Sequence, residues 1–175
     1  MPVLIALAAS VGLLAVVATW LFTGVHLLEA GNLQVWQAFI AWGCYFHCGG
    51  KFAGGRSTVL CMSFGALVGM AAVMLAGQIG GLGQFAAPIA VGLGAAVIVL
   101  ASKLPLLAAI PASVYGFAAI AGLILLKPGM TPVNALIPTI LSILIGAAFG
   151  YVSEAFAALL TKKPAAVEST AAGAA

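Results

Sequence analysis

Charge is what this sequence lacks most. Its 175 residues include six lysines and arginines, three glutamates and no aspartate. Charged residues make up 5% of the chain, against about 25% in an ordinary soluble domain. So few charges cannot build a solvated surface, and lipid is the expected solvent. Without aspartate there is no Walker-type acid for a nucleotide-bound magnesium. The Gly49-Gly50-Lys51 and Gly54-Gly55-Arg56 clusters also lack the Lys-Ser/Thr ending of a phosphate loop. No nucleophile, base and acid are arranged as a triad, so we expect neither an enzyme nor a cofactor. The basic residues are scattered at segment ends, without the patch that binds nucleic acid. Three cysteines, Cys44, Cys48 and Cys61, lie in or beside apolar runs and form no disulfide framework. The N-terminus has no basic n-region, and its apolar run is longer than that of a cleaved signal.

What the chain has is hydrophobic length: 65% of its residues are apolar. A spanning helix takes about 20 such residues. The expected spans are Val3–Phe22, Val35–Phe46, Thr58–Gly77, Phe85–Ser102, Leu106–Leu126 and Val133–Leu160. The second is too short for a straight crossing. The fifth carries Pro111, which is expected to kink it. The expected fold is therefore an all-α membrane protein of six transmembrane helices over residues 1–160, with a disordered cytoplasmic tail at 161–175. A cytoplasmic N-terminus puts Lys51, Arg56, Lys103, Lys162 and Lys163 inside and only Lys127 outside, as the positive-inside rule asks. Both termini are then cytoplasmic.

Ile40–Tyr45 can be laid over Ile110–Tyr115, and each lies in the middle of three segments. This suggests an inverted three-helix repeat, the plan of many transporters, with a substrate site near the interrupted helices. Gly65/Gly69, Gly77/Gly81 and Gly146/Gly150 are spaced for close helix packing, within the chain or in a homo-oligomer.

Chemically useful groups crowd into Trp36–Thr58. Cys44, His47 and Cys48 share a helix face and suit a soft or borderline metal such as copper(I) or zinc. The plainer reading, which the spacing alone does not displace, has the cysteines as small apolar residues and the histidine at the interface. Glu154 is the one acid inside an apolar stretch, and a buried carboxylate there is a functional candidate. His26 and Glu29 could pair at the outer side. Trp42, Tyr45, His47, Ser113 and Tyr115 are the residues expected to line a solute path, although such aromatics also serve as belt or core.

Taken in order, Ala38-Phe39 through Tyr45-Phe46, Cys48 with its Gly-Gly-Lys, the small-residue helix at Gly65 and Gly69, and Ile110–Ser113 resemble the YcdZ type of uncharacterised bacterial inner-membrane proteins. The resemblance implies a multi-pass protein of the bacterial inner (plasma) membrane and brings no site residues. The functional expectation is a channel or secondary transporter for a small neutral or weakly acidic solute, since scarce buried charge disfavours ions. The alternatives are an accessory subunit docking a larger enzyme or transporter, and a metal-handling protein. The expected partners are the lipid bilayer, a small-molecule solute and further copies of the chain.

Overall fold

The computed structural model describes residues 1–25, 28 and 30–161, and every regular element among them is helical. The proposed His26–Glu29 pair and the tail after Thr161 lie outside the described residues. Six long helices follow one another: α1 Val3–Gly24, α2 Val35–His47, α3 Lys51–Gln78, α4 Ala86–Ala101, α5 Ile110–Leu126 and α6 Pro132–Leu160. A 3-10 segment, Gly80–Phe85, joins α3 to α4, and a shorter one, Pro105–Leu107, precedes α5.

Four stretches are long and apolar enough to cross a membrane: Val3–Gly24, Lys51–Gln78, Gly80–Ala101 and Pro132–Leu160. They make this a multi-pass helical membrane protein. α2 has 13 residues and α5 has 17. At about 1.5 Å per residue they reach roughly 20 and 25 Å, less than the ~30 Å hydrocarbon layer.

Two boundaries differ from those read in the sequence. α3 begins at Lys51, not Thr58, so Gly54, Gly55 and Arg56 are helical rather than part of a turn. The reversal runs through Gly49, Gly50 and Lys51, whose φ angles are 90°, 66° and 56°. The Gly50 N–H donates to the Tyr45 carbonyl at 3.0 Å, closing α2. Gly54 then lies against the Tyr45 and Cys48 carbonyls, each 3.1 Å from where its Cβ would be. Tertiary packing at a close approach keeps this glycine-rich turn helical against its propensity. The second difference is Pro111. It occupies the first turn of α5, where its missing N–H costs little, so it starts the helix instead of kinking it. Pro138 is the proline inside a helix, in α6.

The helices pack in an exchanged pattern. α2 rests mainly on α6, and α5 mainly on α3. α1 packs mainly on α6 and α4 mainly on α3. Small residues make both main crossings. Gly65 and Gly69 of α3 face Ser113 and Ile120 of α5, while Gly146 and Gly150 of α6 face Ala38 and Tyr45 of α2. Ser113 and Ile120 have the same spacing as Ala38 and Tyr45. The packing therefore equates Ser113 with Ala38, whereas the overlay of Ile40–Tyr45 on Ile110–Tyr115 equates it with Gly43. Apolar residues repeat too often for sequence overlay to fix that register. The core sits between the crossings, with Ala41, Cys44, Cys61, Met62, Ala112 and Ile143 in one cluster. Ala66, Ile120, Leu123 and Ala135 form another.

Candidate functional site

The residues expected to line one path fall into three places. Trp42 is buried against α6. Its Nε1–H donates to Ser153 Oγ at 3.0 Å, and its ring stacks between Phe39 and Phe149 at 5.7 and 5.4 Å. Ser10 of α1 donates to the Ser153 carbonyl at 2.7 Å, tying three helices at one point. Tyr45 is also fully buried and also faces α6, where its hydroxyl donates to Glu154. Ser113 is buried in the α3–α5 crossing.

Only His47 and Tyr115 come together. Their rings meet edge to face with centroids 5.8 Å apart, and the Tyr115 hydroxyl lies 3.4 Å from His47 Nδ1. They share an open groove of about 320 Å³ with Ile40, Gly43, Cys44 and Ala118. It runs along the seam of α2 and α5.

Cys44 and Cys48 approach to 3.9 Å between sulfurs. His47 turns to Tyr115, and no three metal-ligating side chains among the described residues form a group able to hold an ion. Sharing one helix face therefore does not make Cys44, His47 and Cys48 a ligand set. Cys61 Sγ points to the Leu106 carbonyl at 3.5 Å.

Glu154 is only partly buried. One of its oxygens accepts the Tyr45 hydroxyl and the Lys51 backbone N–H, the latter at 2.7 Å. It thus satisfies an amide that the first turn of α3 leaves without an intrahelical partner, where the helix dipole favours negative charge. Gly50 leaves room for this: a Cβ there would lie 3.0 Å from the carboxylate. The clasp holds the α2–α3 reversal against α6. Beside it, a groove of about 450 Å³ opens toward Val3 and Leu7 of α1.

A second polar set was, apart from Ser113, not singled out in the sequence. Gln37 is fully buried, with its Nε2 donating to the Ala119 carbonyl at 2.9 Å and to Thr139 Oγ1 at 3.0 Å. The Gln34 N–H donates to buried Ser142 at 3.1 Å. Thr58, on α3, stands seven residues before Gly65, as Thr139 on α6 stands seven before Gly146. Gln37 Oε1, Thr58 Oγ1 and Ser113 Oγ are buried with no hydrogen-bond partner. Each such atom costs about 1–3 kcal/mol. Gln37 was legible as the amide inside an otherwise apolar helix; the hydroxyls look like ordinary small helix residues.

At one end of this set a cavity of about 540 Å³ is lined by Phe22, Thr23, Gln34, Trp36, Leu123 and Lys127. The Lys127 ammonium donates to Asn32 Oδ1 at its edge. Between the Gln37 and Thr58 levels the interior is filled by the Ala41, Met62 and Ile143 cluster.

No curated protein and no solved structure matches the chain. One family model does, over residues 8–158, and it includes every segment on which the resemblance rested. It covers all six helices except the ends of the first and last. The chain belongs to the family described as "Protein of unknown function (DUF1097)".

Proposed function

We propose that this protein is a six-crossing carrier of the bacterial inner membrane, built from two inverted three-helix halves, for a small neutral or weakly acidic solute. The observation that carries this reading is the line of buried uncharged polar groups between the two crossings, three atoms of which have no protein partner. A bundle surrounded by lipid has little use for Gln37, Thr58 and Ser113 at such a cost. Amide and hydroxyl groups would recognise a solute that hydrogen-bonds without full charge: a small amide, an alcohol or a short-chain acid. The apolar plug of Ala41, Met62 and Ile143 favours alternating access over an open pore. The exchanged packing supports two halves of opposite topology, with short α2 and α5 in matching places beside the site. Both termini would be cytoplasmic, by the distribution of basic residues.

Solute-driven swelling of proteoliposomes tests the proposal. Faster entry of at least one such solute, lost in Gln37→Leu, is expected. A panel of amides, alcohols and short-chain acids entering no faster than through protein-free vesicles would overturn it. The same plug favours a second reading, an accessory subunit that carries nothing. A stoichiometric partner retained through mild purification, together with that negative result, would establish it.

A further inference from the structure

One groove lies outside the proposed path. It has a volume of about 600 Å³ and runs between α3 and α6 on the lipid-facing side. Lys51, Arg56 and Tyr151 line it together with Phe52, and all four are exposed. Below them its walls are apolar: Val59 and Leu60 from α3, Leu144 and Ala148 from α6. Its floor is the Tyr45 ring, reached through the gap that Gly55 leaves by having no side chain. A Cβ at Gly55 would touch that ring at 3.4 Å.

We propose that this groove binds one anionic phospholipid, its phosphate between Lys51 and Arg56 and an acyl chain lying along Val59, Leu60 and Leu144. The assignment rests on the membrane embedding alone and is independent of what the protein transports.

Two of the six basic residues of the chain line this single groove. A cation pair at the mouth of an apolar furrow between membrane helices fits a negatively charged headgroup. Lengths agree as well. Lys51 and Leu60 are nine helical steps apart, or about 13 Å at 1.5 Å per residue. That is close to half of the ~30 Å hydrocarbon layer, the depth one leaflet supplies. A headgroup at Lys51 therefore leaves its chain ending near the midplane, where the groove ends. Ala147 and Ala148 keep the α6 wall low. Glu154 opens on the separate groove beside α1, but its carboxylate holds the Lys51 amide and the Tyr45 hydroxyl and offsets part of the Lys51 charge, which leaves Arg56 as the main anchor for a headgroup. A zwitterionic lipid would bring its own cation toward Lys51 and Arg56 and gain less.

The test uses the full chain, delipidated in a neutral detergent. Phosphatidylglycerol, phosphatidylcholine and soluble glycerol phosphate are compared by native mass spectrometry and by thermal unfolding. Two basic residues contributing about fivefold each give phosphatidylglycerol a preference of roughly twenty-five-fold over phosphatidylcholine at low salt. The preference should shrink as salt rises. The doubly substituted Lys51→Gln/Arg56→Gln protein should bind both lipids equally. Gly55→Leu should weaken both, because it fills the floor without touching the charges. Equal binding of the two lipids by the native chain would overturn the proposal, as would a preference that survives the double substitution. An unfolding shift from glycerol phosphate as large as that from the lipid would also overturn it, by showing a soluble-anion site. If the double variant unfolds, the singly substituted Arg56→Gln protein, altered outside the α2–α3 reversal, should still lose about fivefold.

Discussion

Replacing a crossing glycine with alanine puts the packing scheme to its most direct test. A Cβ at Gly65 would stand 2.6 Å from the Ser113 carbonyl carbon, and one at Gly146 would stand 2.8 Å from that of Ala38. Carbon atoms rest comfortably at about 3.5–4.0 Å. The carbonyl oxygens of Ser113 and Ala38 lie closer still, so each methyl demands a separation of more than ~0.9 Å between two helix backbones. Backbone cannot rotate out of the way as a side chain can. Overpacking of this kind costs about 1–3 kcal/mol and occasionally more. Alanine is the better helix former by up to about 1 kcal/mol, which offsets only part of that. Gly77 supplies the control, because nothing lies within 4 Å of its would-be Cβ. The expected order in detergent is Gly77→Ala at or slightly above the native stability, with Gly65→Ala and Gly146→Ala both below it by about 1–2 kcal/mol once the helix gain is subtracted. Thermal unfolding followed by tryptophan fluorescence reads this. The two crossings are built alike, so the losses should be similar. Native-like stability in both variants would show that these glycines do not sit at helix crossings, and the exchanged arrangement of α2 and α5 would fall with them.

Other consequences can be checked beside it. Tyr45→Phe leaves one Glu154 oxygen with only the Lys51 amide, and should lower stability by about 1.5–3 kcal/mol, the range for a hydrogen bond to a charged group; an unchanged melting temperature would contradict the clasp. Trp42→Phe keeps the stack with Phe39 and Phe149 but leaves Ser153 Oγ without its indole donor, for an expected loss near 1 kcal/mol. A cysteine introduced at Gly80 should react with an impermeant maleimide from outside intact cells, and one at Phe52 only after permeabilisation; the reverse pattern would invert the proposed topology. Elemental analysis of mildly purified protein should find less than one equivalent of copper or zinc, since His47 turns away to Tyr115. A full equivalent lost in Cys44→Ser would restore the metal reading.

The architecture was legible because lipid immersion leaves a plain trace in composition. Each long apolar run became a helix, and the GxxxG spacing marked the crossings at Gly65 and Gly146, though not at Gly77 and Gly81, where nothing lies within 4 Å of a Cβ. Helix starts were harder to read. Proline reads as a breaker whether it sits inside a helix or opens one, and only the chain before Pro111 decides between them. Gly54 reads as a turn residue until the Tyr45 and Cys48 carbonyls are seen pressed against it. Site residues were the least legible. Trp42 and His47 are one and a half turns apart on the same short helix, so they face opposite partners: α6 for the first, α5 for the second. Hydropathy finds the helix but cannot say which neighbour covers which side. Thr58 and Thr139 gave no signal at all, since a threonine in an apolar helix ordinarily bonds back to its own backbone.

The exchanged packing also bears on how the chain is made. The main support of α2 is α6, which begins some 85 residues after α2 ends. At about 5–20 residues per second, a ribosome takes roughly 4–17 s to deliver the start of α6. During that interval Gln37 lacks Thr139, and for its earlier part, until α5 is made, the α3 glycines lack their partner as well. A nascent chain stalled after Gln78 should therefore be a ready substrate for membrane proteases, and an insertase that shelters polar helix faces should matter more to this protein than its small size suggests.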